Sequence, residues 1–235
     1  MNLLLFTDSD RTDVNTLRIT DRRLQHLLQV HKARVGDSVR VGEIQGKMGL
    51  GEIQELTLSQ ATITVSLDEP PPAKVPIQLI VALPRPKMLR RILRTVAELG
   101  VPELHLINSY RVEKSYWQSP VLQPASIRDY LLQGLEQSRD TMLPDVQCHT
   151  RFKPFIEDIF PSLAAHKDAL LAHPGDHDPV PYGPATDTLL VIGPEGGFIP
   201  YEVEKFQQAG CKTLSLGPRI LRVENAINYL LGKLI

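Results

Sequence analysis

The hydrophobic rhythm of the chain changes near residue 70. Before that point the apolar residues sit in short runs, Leu3-Leu4-Leu5-Phe6, Ser38–Ile44 and Ala61–Leu67, in which Val and Ile alternate with polar positions. Side chains on a strand point alternately to its two faces, so this spacing predicts strands with one buried face, and the Gly36-Asp37 pair supplies a turn between them. Gly42, Gly46, Gly49 and Gly51 punctuate the middle, and the whole of residues 1–69 reads as a small β barrel or sandwich. Residues 70–74, Pro70-Pro71-Pro72-Ala73-Lys74, cannot donate a full set of ladder hydrogen bonds and read as a stiff linker.

From residue 75 to 235 continuous apolar runs alternate with segments of helical period. The runs at 77–83, 103–108, 168–174, 188–193 and 213–216 predict buried strands. Helices are expected from Pro86, over about 124–138, from Pro200 and at the C-terminus. Alternating strands and helices predict an α/β domain with a mostly parallel sheet covered on both faces, and ligands of such sheets sit outside the carboxyl ends of the strands. In the helix from Lys87 to Leu99, a turn of 100° per residue puts Met88, Leu89, Ile92, Leu93, Val96 and Leu99 on one side. Lys87, Arg90, Arg91 and Arg94 fall within about 100° of arc opposite them. The face is a solvated helix side or an anion-binding one, and its single sign favours the second, because a plain solvent face gains from mixed i,i+4 pairs.

Composition narrows the function classes. The 235 residues are 42% hydrophobic and 23% charged, and no apolar run approaches the length of a membrane span. The N-terminus lacks the positive leader of a signal peptide and reaches Asp8 early, and the two cysteines, Cys148 and Cys211, form no CxxC pair, so a cytoplasmic protein without disulfides or zinc is expected. A net charge of −1 restricts any nucleic-acid face to a local patch. Between Arg85 and Lys114 seven basic residues stand against three acids, a local excess of +4.

The chemistry concentrates in two glycine turns. Leu189–Ile192 runs into Gly193-Pro194-Glu195-Gly196-Gly197-Phe198 ahead of a helix, a strand, turn and helix of the kind that cradles nucleotides. Glu195 stands where a pyrophosphate would sit, and the dinucleotide fingerprint is missing, which disfavours a nucleotide-dependent oxidoreductase and suits an adenosine ligand without phosphate. Thr213–Leu216 then runs into Gly217-Pro218-Arg219-Ile220-Leu221-Arg222, and the two turns would form the walls of one slot. His173, His177 and Asp178 have metal-ligand types at close spacing, but Pro174 and Gly175 break any helix that would align them, and no metal is expected. Tyr110, Tyr116 and Trp117 stand near the basic segment, where they stack on a displaced base or pack in a core.

The strings IGPEGGF and LSLGPRILR, with EQSRD and KMLRRILRTVAELGV upstream and QHLLQVHKARVGD near the N-terminus, resemble the RsmE family of small-subunit rRNA uridine-N3 methyltransferases in the SPOUT superfamily. The resemblance spans nearly the whole chain. It implies a PUA-like RNA-binding domain, a C-terminal α/β domain tied in a trefoil knot, an obligate homodimer and S-adenosylmethionine as methyl donor, with 16S rRNA or the small ribosomal subunit as partner. It puts Ile192, Gly193 and Gly196 on one side of the cofactor and Leu216, Gly217, Ile220 and Leu221 on the other. Lys32, Arg34, Lys87, Arg90, Arg91 and Arg111 would face RNA, and Arg222 first, then Arg139, would stabilise the uracil anion. Glu195 and Glu224 are proton acceptors by type alone. Two positions depart from the family pattern: Asn225 stands where threonine is usual, and EQSRD lacks the glycine that commonly follows its serine. A ribose 2′-O-methyltransferase of the same superfamily, and a non-catalytic RNA-binding or ribosome-assembly protein, are the alternatives.

Overall fold

The computed structural model describes residues 2–183 and 186–235. The chain packs into two units, one of the residues up to Ala73 with Leu132–Leu143, the other of Lys74–Leu131 with Pro144–Ile235. The division differs from the expected one, because residues 132–143 leave the second unit and return to the first. Hydrogen bonds explain the return. The amides of Asn2 and Leu3 donate to the Glu136 carbonyl at 3.0 and 3.1 Å, and that of Gln45 donates to the Thr141 carbonyl at 2.9 Å. Arg22 grips the Glu136 carboxylate through two bonds of 2.7 and 3.1 Å. No hydrophobic period announces such contacts.

The first unit holds a six-stranded sheet of β1 (Leu4–Phe6), β2 (Arg11–Asp13), β3 (Thr16–Ile19), β4 (Ser38–Glu43), β5 (Met48–Leu56) and β6 (Ala61–Glu69). Its order is β1-β4-β5-β6-β3-β2. β1 runs parallel to β4 and the other pairs are antiparallel. In β6, Ala61, Ile63 and Val65 are buried while Thr64 and Ser66 are exposed, the period of two that the sequence shows. Those residues join Phe6, Leu17, Ile19, Val41 and Ile53 in one core with Leu24 of α1 (Arg22–His26). Each large side chain buried there contributes about 1.5–3 kcal/mol. Two of the punctuating glycines are strand residues: a Cβ on Gly49 would collide with the Ser66 carbonyl, and one on Gly51 would lie 2.6 Å from Ile63 and 2.8 Å from Val41. They mark close approach inside β5 rather than its end.

The second unit is built on seven strands, β7 (Ile77–Ala82), β8 (Glu103–Ile107), β9 (Asp145–His149), β10 (Asp168–Ala172), β11 (Asp178–Pro179), β12 (Thr188–Ile192) and β13 (Lys212–Ser215). Their order is β11-β13-β10-β12-β7-β8-β9, and every pairing is parallel. Every residue of β12 is buried, as expected of a strand covered on both faces. The helices are α2 (Pro86–Glu98), α3 (Pro124–Ser138, of which the residues from Leu132 belong to the first unit), α4 (Phe152–Pro154), α5 (Phe160–Ala164), α6 (Pro200–Gln208) and α7 (Val223–Leu234). α2 buries Leu89, Ile92, Leu93, Val96 and Ala97 and exposes Lys87, Arg90 and Arg91. Its Arg94 guanidinium lies over the Tyr130 ring, 4.9 Å from the centroid. Leu99, expected on the buried side, is exposed, because it caps the helix with a non-helical ψ of 7°. Phe155, Phe160, Phe198 and Phe206 interlock in a second apolar cluster, with Phe206 5.2–5.4 Å from the rings of Phe198 and Phe160.

His105 of β8 is fully buried, its Nδ1 3.1 Å from Nε2 of His149 on β9. Its own Nε2 is 3.0 Å from Glu103 Oε1 but off the line of a hydrogen bond. Burial pushes its pKa down to about 4. A depressed histidine is neutral when folded and takes up its proton more readily when unfolded, so its stabilising effect is complete above the unfolded pKa and is lost as pH falls from about 6.5 towards 4. We expect roughly 3 kcal/mol less stability at the acid end of that window from this group. Urea midpoints at pH 7 and pH 5 test it, and equal midpoints would contradict it.

Candidate active site

The carboxyl ends of β10, β12 and β13 lie side by side, since β10 pairs with both of the others. The corner after β12 turns through Gly193 and Gly197, and at Gly193 a Cβ would come within 3.1 Å of the Phe198 ring and 3.3 Å of its backbone nitrogen. Phe198 is itself buried, so the corner is held against the aromatic cluster and a side chain at 193 would have to push the ring aside by a few tenths of an ångström. The corner after β13 turns at Gly217, whose φ of 102° lies in the left-handed region that favours glycine. Between the corners lies one cavity of about 360 Å3. Ile192, Gly193 and Glu195 line it from the first corner, Leu216, Gly217 and Leu221 from the second, and Val223 and Ala226 of α7 add apolar surface.

Neighbouring loops hold the rim. Glu195 Oε1 accepts the Arg85 backbone N–H at 3.1 Å and lies 4.0 Å from the Arg85 Nε. Arg111 Nη1 donates to the Gly196 carbonyl. Glu202 in the first turn of α6 is almost completely buried, yet both oxygens are used: Oε1 accepts the Tyr110 N–H at 2.7 Å and Oε2 accepts the Ile199 N–H at 3.1 Å. One carboxylate thus fixes both the loop after β8 and the start of α6. His173, at the end of β10, donates its backbone N–H to the Leu214 carbonyl at 3.0 Å. Burial, then His177 and Arg111, lower its pKa below the usual histidine value.

Residues 71–235 match the model of the RNA methyltransferase domain family. The chain belongs to that family. A ribosomal RNA small subunit methyltransferase E of Treponema pallidum is 29% identical over 232 residues, covering 96% of this chain and 87% of the relative. The enzyme of that name in Bacillus subtilis is 25% identical, over 92% of this chain and 88% of its own length. These relatives place the chain in the RsmE branch of the RNA methyltransferases. The crystal structure of a ribosomal RNA small subunit methyltransferase E from Neisseria gonorrhoeae, bound to S-adenosyl methionine, superposes with a TM-score of 0.73 at 21% identity, covering 98% of this chain and 94% of that one. At that identity the likeness speaks for the fold.

For this RNA methyltransferase the structure brings six of the seven expected cofactor residues into one wall set: Ile192, Gly193, Leu216, Gly217, Ile220 and Leu221 line the cavity. Gly196 faces an adjoining cavity instead, beside Arg111. Arg222 is exposed at the N-cap of α7, between the lining residues Leu221 and Val223 but outside the lining itself, whereas Arg219 lies in it. Arg139 is exposed in the first unit, with a φ of 60° just beyond α3. Lys32 and Arg34 are exposed in the first unit and Lys87, Arg90 and Arg91 on α2. Trp117 donates its indole N–H to Asn108 at 2.9 Å, while Tyr110 stays 79% exposed. Among the described residues no group of three His, Cys, Asp or Glu is placed to hold a metal ion. Sequence reasoning missed Glu202; the available signal was its place three residues into a helix opened by Pro200, where a glutamate commonly reaches back to the backbone.

Proposed function

We propose that this chain methylates N3 of a uridine in small-subunit (16S) ribosomal RNA, using S-adenosylmethionine bound between the two glycine corners. The observation that carries the reading is the single cavity shared by the corners after β12 and β13. Its volume of about 360 Å3 lies in the range of small-molecule sites. The walls fit such a ligand: backbone bared at Gly193 and Gly217, apolar side chains at Ile192, Leu216 and Leu221, and a carboxylate at Glu195 that would repel phosphate and tolerate a cation. S-adenosylmethionine supplies a methyl group made electrophilic by its sulfonium.

The remaining work falls to this chain's residues. The cavity walls hold the donor and keep water away, and a fixed approach of N3 to the methyl group supplies much of the acceleration. Arg222, beside the cavity, and Arg139 are the groups we assign to the negative charge that develops on the uracil carbonyls. Lys87, Arg90, Arg91 and Arg111, with Lys32 and Arg34 of the first unit read as a PUA-like barrel, would meet the RNA backbone.

A trefoil knot and a homodimer complete the reading. β13 lies beyond β10 in the sheet while α7 packs on β12 and α2, so the connection after β13 runs back across the sheet, as the knot we propose requires. Ile220 is 85% exposed on the cavity's edge, apolar surface that a second copy would cover. Among the described residues no helix is long and apolar enough to cross a membrane, and the cytoplasm, where ribosomal subunits assemble, is the proposed place of action.

The test is methylation of unmodified small ribosomal subunits with labelled S-adenosylmethionine, the product nucleoside being mapped by mass spectrometry. We expect 3-methyluridine. A ribose methyl would replace this reading with 2′-O-methylation, and no calorimetric binding of the donor at millimolar concentration would point to a non-catalytic RNA-binding protein.

A further inference from the structure

A second cavity of about 480 Å3 opens beside the first, walled by Arg111, Gly196 and the start of α6 through Val203 and Glu204. The two cavities share His173, Pro174, Gly197 and Phe198, and of these four only His173 carries a titratable side chain. It therefore stands on the partition between the proposed donor site and a chamber large enough for a displaced nucleoside. Its main chain is pinned by the bond to Leu214, so the imidazole is anchored on the sheet rather than on a free loop. The carboxylates that suggest themselves by type are worse placed: Glu195 already accepts the Arg85 amide, and Glu224 lines neither cavity.

We propose that the second cavity receives the target uracil and that His173 is the proton acceptor of the reaction. This rests on the reading of the site as an adenosylmethionine-dependent uridine methylase. A neutral imidazole nitrogen takes the N3 proton and becomes imidazolium. The N3 electron pair forms the new bond to the methyl carbon, the bond from that carbon to sulfur breaks with its electrons left on sulfur, and the imidazolium later returns its proton to water. Arg111, assigned above to the RNA, lies on the wall of the same chamber. The groups around the imidazole agree with a base that is free at neutral pH. His177 is 6.0 Å away between ring centroids, and it and Arg111 both disfavour a charge on His173, as burial does more strongly; Glu195 and Glu204 share the cavity walls.

The test compares wild type with His173→Asn and His173→Gln, which keep a polar side chain but cannot accept the proton, in single-turnover methylation of small ribosomal subunits across pH. A proton acceptor of this kind contributes on the order of a hundredfold or more in rate. Both variants should lose at least that, and the acid limb of the wild-type profile should disappear from them. Calorimetric affinity for S-adenosylhomocysteine should stay within about threefold, as a base rather than a donor-holding residue requires. The imidazole of His173, titrated by NMR in the free wild-type protein, should show the pKa of that acid limb. A variant that keeps its rate or its acid limb, or that loses S-adenosylhomocysteine instead, overturns the assignment. Wild-type protein that makes no 3-methyluridine sinks the underlying reading as well, so the two failures are told apart.

Discussion

Replacing Arg23 with methionine should remove about 3 kcal/mol of stability from the first unit, the low end of what breaking a buried ion pair costs. Arg23 keeps only 13% of its side chain exposed and Asp10 14%. The guanidinium bonds both Asp10 oxygens at 2.6 and 2.9 Å, the Leu5 carbonyl at 2.8 Å and Asp21 at 2.9 Å. It joins the β1 carbonyl, the turn before β2 and the cap of α1. Burial alone would raise the Asp10 pKa, but the bonds from Arg23 and the Thr7 amide outweigh it, and the group sits below the usual carboxylate value. Without Arg23 only the Thr7 bonds oppose the burial, so the Asp10 pKa should rise. The depressed carboxyl of the wild type stabilises the fold above its unfolded pKa and loses that effect as pH falls through its folded one. The gap between wild type and variant should thus be widest near neutrality and narrow below about pH 4. Urea midpoints at pH 7 and pH 3.5 measure this, and a gap that does not change with pH would show that Asp10 is held by something other than Arg23.

Arg23 also shows where sequence reading stops. Strands with alternating or continuous apolar runs, such as β6, β7 and β12, are visible because burial on one or both faces leaves a period in the residue types. β2, with Arg11, Thr12 and Asp13, and β9, with Asp145, Gln147 and His149, carry no such period, since both stand at or near a sheet edge where few side chains are buried. The same limit hid the return of residues 132–143, which is written in backbone carbonyls and one carboxylate. Both glycine corners were legible because the demand on them is local: a left-handed φ at Gly217, and a ring against Gly193. Which arginine enters the cavity was not. Arg219 and Arg222 lie three positions apart, and only the path of the loop into α7 separates the lining residue from the exposed one.

Substitution of Glu202 tests whether the two rims of the site are held by one buried charge. In Glu202→Leu the part-buried amides of Tyr110 and Ile199 lose their acceptor, and each orphaned donor costs about 1–3 kcal/mol. In Glu202→Gln one oxygen still accepts, while the amide nitrogen opposes an N–H, so about half of the loss should return. The effect on function separates from the effect on stability. Tyr110 precedes Arg111, which ties the loop after β8 to the Gly196 carbonyl of the first glycine corner, and Ile199 leads into the α6 wall of the second cavity. A shift of about 1 Å at such positions commonly costs a hundredfold in rate without removing a ligand contact. We therefore expect Glu202→Gln, assayed well below its unfolding midpoint, to bind S-adenosylhomocysteine nearly as wild type does but to methylate roughly a hundredfold more slowly. Equal rates would mean that the two loops keep their places without the carboxylate, and that their positions are set by the aromatic cluster beneath them.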